Sequence, residues 1–582
     1  MRKITLRLVS FFVLVTALAA CATPETKVEL EVDVPRKSAG TAESYYYYID
    51  GYLKELDGKL EDAGKIYSRS LEKDPNSPHL LTRLASILIR QGKLKRAEKL
   101  VRRAASLDPT NKQAFFLLGG IYTARGRLKS AVDVYERLLE IAPDEREARL
   151  LLGTSYIELK RFKDAVRAFS KLIELNPSDI LSRLYRAQAN FQLKKFEQTE
   201  KDLKFLLERR PRNTQALLFL ARIAEHRGNF EKAEETYKRI LGIDPKNRFA
   251  RARLGQVYIR KDNLKEALKE YEHLAKDEPG NREVHRTLGF LHFDRRNFQK
   301  ALQEFQFVLA RNPEDDVVRR YVAAIYEELN QLTRAEEELK RILSRQKKAS
   351  KDKARYLEAY IQLARLYGKR KDWAEVYSVL DKAAKSHEEN DRLSFIRGAF
   401  LAQQKRYDEA IPFYQSAVRI NPKRSSYLFN LAVAYYETHQ WDDVEKSVRA
   451  VLKIQPKHAN ALNLLGFMFS ELNRNIDEAE KLLNRALEIE PNNAAFLDSL
   501  GWIYYRMGKF DLALKKIQHA ANQMPLDAVI LEHLGDVYFA LKNVPKALEY
   551  WQKSNKTNPK EKKVVEKILK HGGSLTPVPK KL

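Results

Sequence analysis

Apolar positions recur at helical spacing along most of this chain, and they do so in blocks of one length. In residues 112–145, KQAFFLLGGIYTARGRLKSAVDVYERLLEIAPDE, one face is marked by Phe115, Leu118 and Tyr122 and a second by Ala131, Tyr135 and Leu138. The polar stretch ARGR between the two faces predicts a turn. Pro143 predicts the end of the second helix, because proline cannot continue one. The block therefore predicts a helical hairpin.

The block repeats. Gly51, Ala85, Gly119, Gly153, Ala187, Ala221, Gly255, Gly289 and Ala323 follow one another at steps of 34. After a step of 41 the series continues through Ala364, Gly398, Ala432, Gly466, Gly501 and Gly535, with a single step of 35 before Gly501. All fifteen positions hold Gly or Ala. A second ladder of small residues runs from Ala63 to Ala547, with Thr199, Val376 and Val444 as departures. Prolines 75, 109, 143, 177, 211, 245, 279 and 313 form a third ladder, which resumes at Pro422 and fails after the ninth and tenth blocks. A period of 34 residues means stacked two-helix units, each burying its apolar face only against its neighbours. Two helices of one hairpin approach closely only where a side chain is almost absent. Gly501 accordingly reads as a helix-contact glycine and Gly508 as a turn glycine, and the two irregular units are expected to stack less regularly.

These ladders resemble the tetratricopeptide repeat. In 494–527 the matching residues are Leu500, Gly501, Tyr504, Gly508, Ala513, Ala520 and Pro525. The resemblance covers 44–561. It implies an all-α solenoid of about fifteen helix-turn-helix repeats in a right-handed superhelix, nine repeats in 44–349 and six in 357–561. Residues 344–356, SRQKKASKDKARY, hold the seven-residue excess, with 350–356 as a basic insertion that reads as a longer helix or as a hinge. Residues 562–571, KKVVEKILKH, predict a capping helix whose Val564, Val565, Ile568 and Leu569 cover the last repeat. The tail 572–582 has no apolar stripe and reads as disordered.

The N-terminus follows another logic. MRKITLR is basic, LVSFFVLVTALAA is apolar but short, and LAAC ends on Cys21, the one cysteine of the chain. This is the pattern of a secretory signal over 1–20. Its ending resembles the bacterial lipobox, which implies a diacylglycerol and palmitate on Cys21 and residues 21–43 as anchor and flexible tether. The other reading is an ordinary cleaved signal with an incidental cysteine. Ala22 after the cysteine resembles outer-membrane sorting in enteric bacteria. The expected location is the bacterial cell envelope, lipid-anchored and facing the periplasm.

Charge and chemistry then narrow the function. The formal net charge is +28, and the N-terminal repeats carry more of it than the C-terminal ones. Export disfavours nucleic acid as the partner. Acidic proteins, anionic lipid head groups and acidic cell-wall polymers fit an envelope better, beside the plain alternative of a solvated surface. Lys347, Lys348, Lys351, Lys353 and Arg355 make a candidate basic patch. The eleven histidines are scattered, and there is no His-Glu-x-x-His, P-loop or dinucleotide fingerprint. The expectation is a binding protein and not an enzyme, with no cofactor, no metal and no nucleic acid.

In tetratricopeptide repeats the first helix of each pair lines the binding groove. Helical phase places Tyr45, Tyr48, Tyr52, Phe116, Phe191, Phe249, Phe290, Phe293, Phe395, Phe429, Tyr436, Phe467, Trp502, Tyr505 and Phe539 on that face, accompanied by Arg222, Arg260, Arg286, Arg320, Arg365 and Arg506. Aromatic rings of this kind either anchor a partner or pack on the adjacent repeat. Trp502 and Tyr505 are expected to stand clear of the stacking. The Lys and Asn set of the carboxylate clamp is missing, so the resemblance does not extend to chaperone-tail recognition. In plan the chain is similar to the NlpI- and LbcA-type adaptor lipoproteins, which bind periplasmic C-terminal processing proteases and bring them cell-wall hydrolases. The alternative is a structural scaffold of a secretion, pilus or exopolysaccharide machine.

Overall fold

The structure is a computed structural model that describes residues 40–346 and 353–574, without the side chains of 353–355. Cys21, the signal, most of the tether, Lys347, Lys348, Lys351 and residues 575–582 lie outside the described residues. Lys353 and Arg355 fall in the helix Lys353–Arg370. Among the described residues there are 31 helices and no strand. The chain divides into two compact units, Met1–Arg296 and Asn297–Leu582.

Local sequence sets each hairpin. Most first helices are 13 residues long, as in Lys112–Ala124, and most second helices 14, as in Leu128–Ile141. Between hairpins the chain runs Pro-x-Asn, Pro-x-Asp or a close variant. The proline stops the second helix and the Asn or Asp starts the next, its side chain accepting a bond from a free N–H of the first turn. Asn111 Oδ1 takes Ala114 N–H at 2.9 Å, and Asn213 takes Ala216 N–H at 2.9 Å.

The small-residue ladder is the line of closest approach inside each hairpin. A Cβ on Gly153 would lie 2.6 Å from the Phe169 ring, and one on Gly255 2.7 Å from Tyr271. The same offset of 16 residues joins Gly119 to Tyr135, Gly398 to Tyr414, Gly501 to Ile517 and Gly535 to Trp551. These large side chains are all buried. Where the ladder holds Ala, the residue 16 positions on is mostly smaller: Val101 after Ala85, Leu203 after Ala187, Leu339 after Ala323, Val448 after Ala432. Volume removed from the first helix is thus returned by the second, as dense packing requires. Ala221 opposite Tyr237, Gly466 opposite Leu483 and Gly501 opposite Ile517 depart from the trade.

The turn inside each hairpin bends at one register position with positive φ. Glycine stands there at Gly58, Gly92, Gly126, Gly228 and Gly508. Elsewhere a side chain occupies the left-handed region, as at Lys160 (φ 61°), Lys194 (φ 58°), Lys371, Lys405 and Lys542. That conformation costs an L-residue roughly 1–2 kcal/mol, partly offset by glycine's greater entropy loss on folding. Lys160→Gly together with Lys194→Gly should therefore stabilise the adjacent hairpins by up to about 1 kcal/mol in total, read as a higher denaturant midpoint. A lower midpoint would show that the lysines make contacts that outweigh the strain.

The seven-residue excess lies within the second unit. The helix after it, Lys353–Arg370, is 18 residues long. Stacking carries across it through side chains: Tyr367 Oη donates to Glu336 at 2.8 Å, Arg370 to the same carboxylate at 2.6 Å, and Tyr360 Oη to Gln346 Oε1 at 2.7 Å. At the C-terminal end the helix Lys562–Lys570 buries Val564 and Ile568. Lys567 of that helix bonds Glu532 and Asp536 at 2.7 Å.

Candidate protein-binding face

Most of the aromatic residues assigned to the first-helix face are half-buried; Phe249, at 46% exposure, and Phe539 are exposed. Phe191 is a correction. It is 5% exposed and packs at 5.4 Å from Phe219, 5.8 Å from Phe196 and 5.8 Å from His226. The next hairpin supplies Phe219 and His226, so this ring is core. Phe395 is also largely packing, stacked 4.6 Å from Tyr427. Phe116 leans on the core of its own region, and Phe429 lies 4.8 Å from His458. Phe290 sits under the Arg286 guanidinium at 5.5 Å, with Phe293 half-buried on the same helix. Tyr436 and Phe467, from adjacent first helices, come within 6.4 Å, and Trp441 closes on Tyr436 at 5.5 Å. Burial raises the Tyr436 pKa to about 12, so it stays a neutral phenol.

The helix Ala42–Leu56 has no helix before it among the described residues. Tyr48 turns inward and its hydroxyl meets His79 Nε2 at 3.0 Å, while Tyr52 lies 5.2 Å beneath Arg83. Tyr45 is half-buried. The open side is instead formed by Tyr46, Ile49, Leu53 and Leu56, with Tyr46 67% exposed. Their helical spacing was a usable signal, hidden by the run of four tyrosines.

Trp502 and Tyr505 do not stand clear. The Trp502 ring stacks on His533 of the next hairpin at 4.0 Å and 15°, and on Tyr505 at 4.7 Å and 7°. Its Nε1–H donates to Glu471 Oε1 of the preceding hairpin at 3.0 Å. His533 is buried and bonds Asp498 at 2.9 Å. Burial opposes its charge, but Asp498, with Asp536 and Glu532, outweighs burial and holds its pKa above the ordinary histidine value. Trp502→Ala should consequently weaken 494–540 by about 1–2 kcal/mol, the scale of a stacked aromatic contact and the area it buries. Hydrogen exchange should show lost protection there and no change in the first unit. Unchanged exchange in 494–540 would mean that the rings are not part of the stacking.

One opening on this face combines charge with an apolar ring. A cavity of about 440 Å³ is lined by Arg222, Glu225, His226, Phe249 and Arg253. Glu225 receives Arg253 Nε at 3.1 Å and the Tyr237 hydroxyl at 2.5 Å. Arg222 lies 4.5 Å over Phe191 and makes no ion pair among the described residues. The cavity thus offers one uncompensated guanidinium beside an exposed phenyl ring. Arg506, at the other end of the chain, donates to the Glu471 carbonyl at 3.3 Å. Arg320 and Arg365 both act on Glu358, lowering its pKa after the larger effect of its bond from Arg392, and Arg260 is exposed. No helix of the described residues is long and apolar enough to cross a membrane.

Stacked helical hairpins that present half-buried rings and arginines along their first helices define a protein-binding α-solenoid. Sequence profiles of the tetratricopeptide repeat match at 82–146, 195–248, 361–425 and 499–558, and a second set at 122–191, 227–289, 292–351 and 401–466. The chain belongs to the tetratricopeptide-repeat proteins. Repeats of this family are protein–protein interaction scaffolds, typically non-catalytic, and bind protein partners. Among curated proteins, the Drosophila melanogaster protein O-mannosyl-transferase Tmtc3 is 26% identical over 91 residues, 16% of this chain. The match spans only 10% of that relative's length. Among solved structures, the Naa15/Naa10 complex bound to HypK-THB is similar at TM-score 0.33 and 14% identity, covering 91% of this chain and 96% of that one. Yeast Tom70 gives 0.30 and 16%, covering 91% and 95%. The APC/C hetero-tetramer Cut9-Hcn1 gives 0.31 and 15%, covering 80% and 97%.

Proposed function

We propose that this protein is a lipid-anchored adaptor of the bacterial envelope. Cys21 carries the lipid, residues 22–43 serve as the tether, of which Ala42 and Glu43 already belong to the first helix, and the repeats bring a periplasmic processing protease together with its cell-wall hydrolase substrates. The observation that carries the reading is LAAC, the single cysteine context of the chain, on the N-terminal side of a repeat array of a protein-binding family. Attachment through two or three acyl chains is firm, since each buried CH₂ contributes roughly 0.8 kcal/mol. A coil of this length spans about 25 Å, enough to hold the first hairpin off a membrane surface.

Cys21→Ser should abolish incorporation of labelled palmitate and release the chain from the membrane fraction. Detergent co-purification of the unaltered protein should yield a protease and a hydrolase in one complex. Membrane retention of the Ser variant without label would remove the anchor from this reading. Co-purification of a trans-envelope machine in place of the protease would remove the adaptor role.

A further inference from the structure

The helix Ala42–Leu56 exposes more large apolar side chains than any other described helix. Tyr46, Ile49, Leu53 and Leu56 form one stripe at steps of three, four and three, and they are 67%, 54%, 55% and 66% exposed. No other helix of the described residues exposes more than two. The stripe belongs to a stacking face. In each of the next eight first helices the residue in the register of Tyr46 is buried, from Leu80 to Val318. So is the residue in the register of Leu53, from Ile87 to Ile325. Those helices pack on the hairpin before them.

A terminal repeat needs a polar outer face to stand alone in water. The helix Lys562–Lys570 follows that rule and turns Lys562, Lys563, Glu566 and Lys570 outward. The first hairpin breaks it, so its open face calls for an apolar cover. Three features fit a lipid surface. Tyr46 stands edge-to-face with Tyr47 at 5.6 Å, and tyrosine joins an apolar ring to a wet hydroxyl, as aromatics at membrane interfaces do. Charge beside the stripe is paired within the protein, Glu43 with Lys73 and Asp57 with Lys59, so it does not repel phospholipid head groups. Finally, 20 residues separate Cys21 from Ala42. Fully extended they reach about 70 Å, and a link that short keeps the helix at an effective concentration in the millimolar range. A weak interfacial contact then suffices.

We infer that this helix lies on the phospholipid surface to which Cys21 is anchored, with Tyr46, Ile49, Leu53 and Leu56 at the boundary of head groups and acyl chains. The inference rests on the lipid-anchor reading for its proximity and not on the adaptor role. The length of the tether permits a gap between hairpin and membrane, and the stripe closes it. Lipid and helix together give the first hairpin two points of attachment, which fixes its orientation to the membrane. Because the contact is apolar, it takes a zwitterionic surface and is indifferent to salt.

The test uses the full chain purified from bacterial membranes. It is reconstituted in vesicles of phosphatidylcholine and phosphatidylethanolamine, with a trace of phosphatidylcholine carrying a diazirine on one acyl chain. After photolysis, lipid adducts should concentrate in the tryptic peptides of 38–59, about fivefold or more above later peptides, at low and high salt alike. Ile49→Gln with Leu53→Gln should lower them by a similar factor. Both side chains already face water, so the melting temperature should hold. Leu107→Gln, at another exposed leucine, should leave the adducts unchanged. Adducts spread evenly over the repeats, lost at high salt, or untouched by the double variant would each overturn the inference. So would a dimer in detergent that the double variant dissolves, since a second copy would then hold the face. The mass of the Cys21 peptide reports the anchor separately. Acylated Cys21 without adducts in 38–59 overturns the inference alone, while adducts there with unacylated Cys21 uphold the face and remove the anchor.

Discussion

Gly153→Ala should destabilise the hairpin 146–175 by about 1–3 kcal/mol, and adding Phe169→Leu should return most of that loss. The first half follows from space. A Cβ at residue 153 meets the Phe169 ring at 2.6 Å, and that ring is fully buried, so the added methyl displaces packed atoms. The better helix propensity of alanine, about 1 kcal/mol over glycine, offsets part of the clash. The second half follows from the chain's own precedent. Ala187 faces Leu203, Ala323 faces Leu339 and Ala364 faces Leu380 at the same offset, so an Ala–Leu pair is an arrangement this fold already uses. A double-mutant cycle by chemical denaturation, with exchange read over 146–175, gives the coupling. If the two losses simply add, the glycine ladder is not a record of volume exchange. Phe169 also lies 5.4 Å from Tyr185 of the next hairpin, so some loss should persist at that junction.

Glu336→Gln should loosen the stacking across the insertion by about 1–2 kcal/mol. Glu336 is half-buried, and burial alone would raise its pKa; the bonds from Lys340, Tyr367 and Arg370 outweigh burial and hold it down at about 2. The usual value is 4.5, and solvent around a half-buried carboxylate screens the stability that such a difference represents to about 1–2 kcal/mol at neutral pH. The carboxylate pKa is depressed in the folded state. Its contribution is therefore complete above about pH 4.5 and is lost as the pH falls toward 2. In the unaltered protein, exchange protection of 332–343 and 353–370 should decline over that window before the other hairpins of the same unit. In the Gln variant those segments should be weak at neutral pH and insensitive to acid over the same range. A variant as protected as the parent would show that apolar packing of Tyr356, Tyr360 and Tyr367 alone carries the junction.

The hairpins were legible because their determinants repeat. Gly, Ala and Pro at fixed offsets report local geometry, and the positive φ of Gly508 and the contact of Gly501 with Ile517 are properties of one hairpin. Face residues were less legible because helical phase leaves their neighbours unspecified. Phe191 and Phe249 are both phased toward the first-helix face, yet Phe219 and His226 of the following hairpin bury one and nothing covers the other. Helical phase alone leaves Trp502 clear of the stacking because its partners, Glu471 and His533, are 31 residues away on either side.

The left-handed turns carry a consequence for how the chain is cut. Lys160, Lys194, Arg296, Lys371, Lys405 and Lys542 all sit at exposed turn tips inside a hairpin, where a protease reaches backbone most readily. Trypsin acting there separates the two helices of one repeat and leaves each attached to a neighbour of the adjoining repeat. The fragments of a partial digest would then be offset by half a period from the repeats themselves, each starting on a second helix and ending on a first. Such pieces keep the contacts between repeats and lose those within one, so their residual helicity weighs the two kinds of contact against each other.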